Sequence, residues 1–224
     1  MNGGWDRKEI EVTADGSATI YLPELDEHYH STKGALTESR HVFVESGLKH
    51  CRKDAVRVLE IGFGTGLNAV LTAIYGKGLQ IEYHTCELYP LSLQEVEALG
   101  YRSVLPEEGV ALLENIHEAE WEMMVEICPG FSIKKIRCDL TDSSVRLPQG
   151  VDVVYFDAFA PEKQPGMWTD GIFRRIYAAM ESGGILTTYC AKGEVRRRLQ
   201  SVGFSVERLA GPPGGKREIL RAVK

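Results

Sequence analysis

The chain has 224 residues, 43% hydrophobic and 26% charged, which suits one folded domain with a sizeable core and excludes a disordered or fibrous protein. No apolar run reaches bilayer length and the polar opening Met1–Arg7 lacks a signal-peptide stretch, so a cytoplasmic protein with no membrane partner is expected. The net charge of −6 disfavours a surface that binds nucleic acid all round, and five cysteines without a CxxC pair exclude a disulfide framework.

The runs Glu9–Val12 and Ala18–Leu22 are β-prone, and Asp15-Gly16 between them predicts an N-terminal β-hairpin. Gly34–Leu48 has helical character and stops near Gly47. A strict alternation then begins. Val56–Ile61 reads as a short apolar strand, followed by a glycine-rich turn and a helix from Leu67 to about Tyr75. Ile81–Cys86 is a second strand. Leu91–Leu99 and Val110–Ile127 read as helices, the latter from Leu112, Leu113, Ile116, Trp121, Met124 and Val125 at mostly helical spacing. Phe131–Arg137 and Val151–Phe156 are the third and fourth strands, and Trp168–Met180 is a helix. Ile185–Tyr189 is the fifth strand, and a basic helix follows over Gly193–Val202. Phe204–Leu209 and Glu218–Val223 are strands joined only by Gly211-Pro212-Pro213-Gly214-Gly215.

Strands alternating with helices imply a mainly parallel sheet covered on both faces. The last two strands lack an intervening helix, so the final one should run against the others. The expected fold is therefore doubly wound α/β, with a mainly parallel seven-stranded sheet of the class I S-adenosylmethionine-dependent methyltransferase type. An N-terminal extension over residues 1–50, hairpin and helix, would precede a main domain over residues 51–224.

The strongest chemical signal is Glu60-Ile61-Gly62-Phe63-Gly64-Thr65-Gly66, which follows a strand and opens a helix. Glycines at the carboxyl end of a strand let the backbone approach a ligand. The spacing is GxGxG, and Glu60 would repel a pyrophosphate but pair with an amine. S-adenosylmethionine carries both a carboxylate and an ammonium, so the loop suits it as cofactor. Glu87 ends the second strand at the spacing of a ribose-binding acid, and Asp139 follows the third strand, where it can receive an adenine amino group. The bland alternatives are a packing turn and solvated strand-end carboxylates.

Asp157-Ala158-Phe159-Ala160-Pro161 ends the fourth strand, where this architecture faces the transferred methyl group. An amine must present its lone pair to accept a methyl, and a carboxylate at Asp157 can orient it and take its proton. Phe159 and Trp168 either stack on a planar base or pack in the core. From Lys192 to Lys224 there are nine basic and three acidic residues, against 17 basic and 29 acidic elsewhere. Lys192, Arg196 and Lys216 are thus candidates for phosphate contacts, with ordinary solvated charge as the rival. The six histidines show no HExxH spacing, and no metal is expected.

Several blocks resemble the methyltransferase half of the bacterial tRNA 5-methylaminomethyl-2-thiouridine biosynthesis family. They are Tyr29 with Ser31, Glu38 to Phe43, Leu59 to Asn68, Asp157 to Pro161 running on to Trp168 and Thr169, Gly183 to Phe204, and Gly215 to Glu218. The Glu97–Pro129 region matches none of them. The resemblance implies methylation of the 5-aminomethyl group of wobble uridine, or its 2-thio form, in tRNA. It assigns the catalytic aspartate to Asp157 and the cofactor loop to Glu60 through Asn68. It adds Tyr29 and Pro161 on the substrate side. The family's flavin-dependent oxidase domain has no room in this chain, so a standalone methyltransferase fed by other enzymes is expected. The alternatives are a small-molecule amine methyltransferase, an aminopropyltransferase-like enzyme, and a non-catalytic S-adenosylmethionine-binding module.

Overall fold

The computed structural model describes residues 7–224; the polar opening at residues 1–6 lies outside them. In chain order the elements are β1 Glu9–Val12, β2 Ala18–Leu22, β3 Glu27–His28, α1 Ala35–Ser39, β4 Ala55–Ile61, α2 Leu67–Tyr75, β5 Gln80–Glu87, α3 Leu93–Ala98 and α4 Glu107–Glu118. They continue with β6 Met124–Cys128, β7 Phe131–Arg137, β8 Val151–Phe156, α5 Asp170–Ala179, β9 Met180–Thr188, α6 Gly193–Val202, β10 Ser205–Ala210 and β11 Glu218–Val223. A π-helical turn, Arg40–Glu45, extends α1.

The main sheet has the order β10-β11-β9-β8-β4-β5-β7-β6. The five strands from β9 to β7 are parallel, and β11 runs antiparallel to both β9 and β10. All seven expected strands are present. Helices cover both faces of the parallel set, and every residue of β8 within it is buried. Val58, Tyr83, Val153 and Tyr155 face Val42, Phe43, Val70, Leu113 and Ile116 of the helical layer from α1, α2 and α4. Leu59, Ile61, Val154 and Leu186 face Phe173 and Ile176 of α5 and Val195 and Leu199 of α6.

The region Val110–Ile127 does not form one helix. α4 stops at Glu118, and Glu122 adopts a left-handed φ of 65°. Met124–Cys128 then forms an eighth strand, folded onto β7 through a turn at Pro129-Gly130. The physical reason is a change of period. Leu113 and Ile116 keep helical spacing, whereas Val125 and Ile127 alternate with Met124 and Glu126 along a half-buried edge strand. Likewise the expected helix at Trp168 begins at Asp170, where Thr169 caps it by accepting the Ile172 N–H at 3.4 Å.

The N-terminal hairpin gains a short third strand, giving a sheet of order β1-β2-β3. Ala18, Ile20 and Leu22 share one core with Val56, Val58 and Ile81 of the main sheet. The Tyr101 hydroxyl donates to Ala18 O at 3.1 Å, pinning this sheet over the carboxyl ends of the parallel strands. No described helix is long and apolar enough to cross a membrane.

Candidate functional site

β4 lies between β5 and β8, and the strand order runs outward from this pair of neighbours in opposite directions, so a crevice opens beyond the carboxyl end of β4. A cavity of about 290 Å³ occupies that crevice. Gly62 to Gly64 line it after β4, Glu87 to Tyr89 at the end of β5, Cys138 to Thr141 after β7 and Asp157 to Phe159 after β8, while Tyr29 and His30 close it from the N-terminal sheet.

Two glycines shape the floor. Gly62 has φ 93°, and a β carbon there would meet Asp157 O at 2.5 Å, so only glycine lets β4 and β8 close together. Gly64 has φ 50°, and its β carbon would press on Tyr29 Cδ1 at 3.0 Å. Glu87 Oε2 accepts the Gly64 N–H at 3.1 Å, and its Oε1 accepts the Tyr89 N–H at 2.8 Å. Asp139 Oδ1 accepts the Thr141 N–H at 2.8 Å and its hydroxyl at 2.6 Å. The expected acids Glu87, Asp139 and Asp157 therefore stand around one cavity, as the strand-end spacing required.

Asp157 lies at the bottom, with Oδ2 accepting from Asn68 Nδ2 at 2.8 Å. Burial raises its pKa to about 7; the negative charge of Glu38 adds to this, and the Asn68 hydrogen bond and the Lys216 charge oppose it. A carboxyl tuned to neutral pH is suited to proton transfer.

Three residues of the cofactor loop act differently from expectation. Glu60 does not line the cavity. It is fully buried, because neighbouring residues of a strand face opposite sides and Ile61 is the one turned to the cavity. Glu60 Oε2 accepts the Thr85 hydroxyl at 2.8 Å, and Oε1 has no partner. Burial pushes its pKa to about 8, and the Thr85 hydrogen bond opposes the shift. The shift favours the protonated carboxyl near neutral pH, which makes Glu60 a poor partner for a cationic amine. Asn68 is buried and holds Asp157 instead of the cofactor; its Oδ1, also unpartnered, is the acceptor a protonated Glu60 can serve. Gly66 also lies off the cavity. It starts α2 at φ 75°, and a β carbon there would strike His117 Nε2 at 2.6 Å.

A second cavity of about 250 Å³ adjoins the first and shares Tyr29, His30, Asp157, Ala158 and Phe159 with it. Phe159 meets the Tyr29 ring edge-on, with centroids 5.2 Å apart. Lys216 also lines this second cavity, its ammonium reaching Glu38 while the side chain stays partly exposed.

The other substrate-side expectations are corrected. Trp168 is fully buried between Phe156, Phe173 and Tyr189 and offers no face to a base. Its Nε1–H donates to Phe159 O at 2.7 Å, so it holds the loop that follows β8. Pro161 is buried in the turn whose Lys163 N–H donates to Ala160 O, and lines neither cavity. Lys192 pairs with Glu162. Arg196 lies on α6 away from both cavities, with a buried Nε that has no partner. Sequence reasoning missed Glu38 and Tyr189 in the second cavity, and Cys86, Cys138 and Thr141 in the first. Tertiary packing alone joins Glu38 and Tyr189 to the site, whereas Cys86, Cys138 and Thr141 flank the expected Glu87 and Asp139 in the chain.

A family model described as S-adenosyl-L-methionine-dependent methyltransferase matches residues 111–224. The chain belongs to this methyltransferase family. The methyltransferase is 30% identical over 220 residues to the tRNA 5-methylaminomethyl-2-thiouridine biosynthesis bifunctional protein MnmC of Marinomonas sp., covering 88% of this chain and 31% of that protein. It thus spans about a third of the length of the curated relatives it matches. Its fold is similar to the crystal structure of MNMC2 from Aquifex aeolicus, with a TM-score of 0.75 and 27% identity over 97% of this chain and 70% of that one. Spermidine synthase from Thermotoga maritima shares the fold alone, with a TM-score of 0.60 and 14% identity, covering 99% of this chain and 71% of that one.

The cavity fits the cofactor of this methyltransferase family. Gly62 and Gly64 leave bare backbone on the cavity floor, and Glu87 and Asp139 add carboxyl groups to its lining that can accept from hydroxyl and amino groups.

Proposed function

We propose that this methyltransferase adds a methyl group to the aminomethyl nitrogen on carbon 5 of wobble uridine, or its 2-thio form, in tRNA. The observation that carries the reading is the meeting of two cavities at Asp157. One suits the cofactor and the other admits an acceptor. The names of the MnmC relatives supply the substrate.

S-adenosylmethionine supplies the electrophilic methyl group when bound. Glu87 would hold the ribose hydroxyls, Asp139 the adenine amino group, and the Gly62–Gly64 backbone the remaining polar edge. An acceptor amine arrives as an ammonium and cannot attack until it loses a proton. Asp157, ionised over part of its population near pH 7, receives that proton on a carboxylate oxygen while Asn68 keeps the carboxylate aimed. Tyr29 and Phe159 bound both cavities and exclude water from the junction. On this reading the protein works in the cytoplasm and needs other enzymes to make its aminomethyl substrate.

The test is transfer of label from S-adenosylmethionine to tRNA taken from cells blocked at the aminomethyl stage. Label in the wobble uridine, lost with Asp157→Ala while cofactor binding survives, is the expected result. No label with cofactor bound would refute the tRNA substrate and leave a small amine as acceptor.

A further inference from the structure

The second cavity contains a cation of the chain's own. Lys216 leaves the loop between β10 and β11 and points inward. Its Nζ lies 3.2 Å from Glu38 Oε1 and 3.8 Å from the centre of the Tyr189 ring. A carboxylate and an aromatic face converging on one point make a binding place for an ammonium group.

Both partners are fixed from behind. The Glu38 side chain is 8% exposed, and its Oε2 accepts the Ser31 N–H at 2.8 Å. The Tyr189 hydroxyl donates to Ala158 O at 2.8 Å, which holds the ring beside Asp157. The cation is less constrained, with the Lys216 side chain 45% exposed. Its backbone is anchored, because a β carbon on Gly211 would sit 1.7 Å from Lys216 O and the Gly211 N–H donates to Arg217 O at 2.9 Å. A four-carbon stem on an anchored backbone can leave Glu38 without moving the loop.

We propose that Glu38 and Tyr189 form the seat for the protonated amine of the acceptor, and that Lys216 is a tethered placeholder which the incoming ammonium displaces. The inference rests on the acceptor being an amine, as proposed above, and it names the ligand class as a primary alkylammonium. One cation replaces another, so the charge beside the buried carboxylates is conserved. An amine seated on Glu38 shares its cavity with Asp157, the group that takes its proton. A nucleoside without the aminomethyl group has nothing with which to displace Lys216.

The placeholder role and a phosphate-binding role for Lys216 predict opposite signs. Calorimetry with n-propylamine, on protein saturated with S-adenosylhomocysteine, should show Lys216→Met binding about five-fold more tightly than wild type and Glu38→Gln about five-fold more weakly. In methyl transfer to aminomethyluridine tRNA, Lys216→Met should lower KM, and Glu38→Gln should raise it about ten-fold with a smaller change in kcat. The seat is overturned if Lys216→Met fails to gain amine affinity, if it raises KM, or if Glu38→Gln binds propylamine as wild type does. Wild-type protein inert toward the tRNA but showing the propylamine pattern would overturn the tRNA reading alone.

Discussion

Replacing Glu60 by glutamine should stabilise this protein, and by an amount that depends on pH. The carboxyl is fully buried, and its pKa rises from 4.5 to about 8, chiefly by burial. Between those values the unfolded chain has released a proton that the folded chain keeps. The folded state binds more protons, so this group lowers stability as pH rises, by about 1.4 kcal/mol per unit, and the loss levels off above the folded pKa. At pH 7 the accumulated cost is roughly 3 kcal/mol. Glutamine does not titrate, keeps an oxygen for the Thr85 hydroxyl and brings an N–H for Asn68 Oδ1. Asp157 titrates in an overlapping range in both chains, so its contribution largely cancels in the difference. Urea unfolding of both chains, followed by tryptophan fluorescence from about pH 5 to about pH 8, should show E60Q gaining on the order of 3 kcal/mol relative to wild type. A difference that stays constant across that range would mean Glu60 is ionised in the folded protein, and Asn68 Oδ1 would then lose the donor assigned to it.

Asn68→Ala should lower kcat about ten-fold by removing a hydrogen bond to a charged group. Because that bond holds the Asp157 pKa down, the rise of kcat with pH should also shift upward from about 7 in a pH–rate profile. Gly62→Ala should cost about 2–4 kcal/mol and cofactor binding, since its β carbon would meet Asp157 O at 2.5 Å. Gly183→Ala, at φ 78° with open space around it, should cost only about 1 kcal/mol, and urea unfolding of both glycine variants checks the contrast. Trp168→Phe should lose about 1–3 kcal/mol with little change in acceptor KM, because Trp168 lines neither cavity. A ten-fold KM increase at unchanged stability would return Trp168 to base stacking.

The parallel strands and the cofactor side of the site were legible in the sequence because their signals are local. β4 and β8 are mostly apolar, β5 and β7 carry β-prone residues among polar ones, and the acids Glu87, Asp139 and Asp157 sit at or just past the strand ends. β6 was hidden because Trp121, Met124 and Val125 continue the helical spacing of α4 by coincidence, and an edge strand carries little apolar content to contradict it. The direction of Glu60 depended on a one-residue register that a glycine-rich motif does not reveal. Trp168 could not be sorted between core and ligand, since an indole serves both and only the rings packed around it decide. The acceptor side was least legible. Glu38, Tyr189 and Lys216 come from distant stretches of chain, and nothing in their local sequence announces that they converge.

The antiparallel strand β11 is the last of the sheet to be synthesised, yet it lies inside it, between β9 and β10. During translation the ribosome still holds Glu218–Val223 when every parallel strand has emerged. β9 must wait with a bare edge, and β10 has no neighbour until β11 arrives. The loop that delivers Lys216 to the second cavity closes in the same event, so the cofactor crevice takes shape before the second cavity is complete. Without β11 the edge of β9 stays bare and β10 has no strand to join it to the sheet.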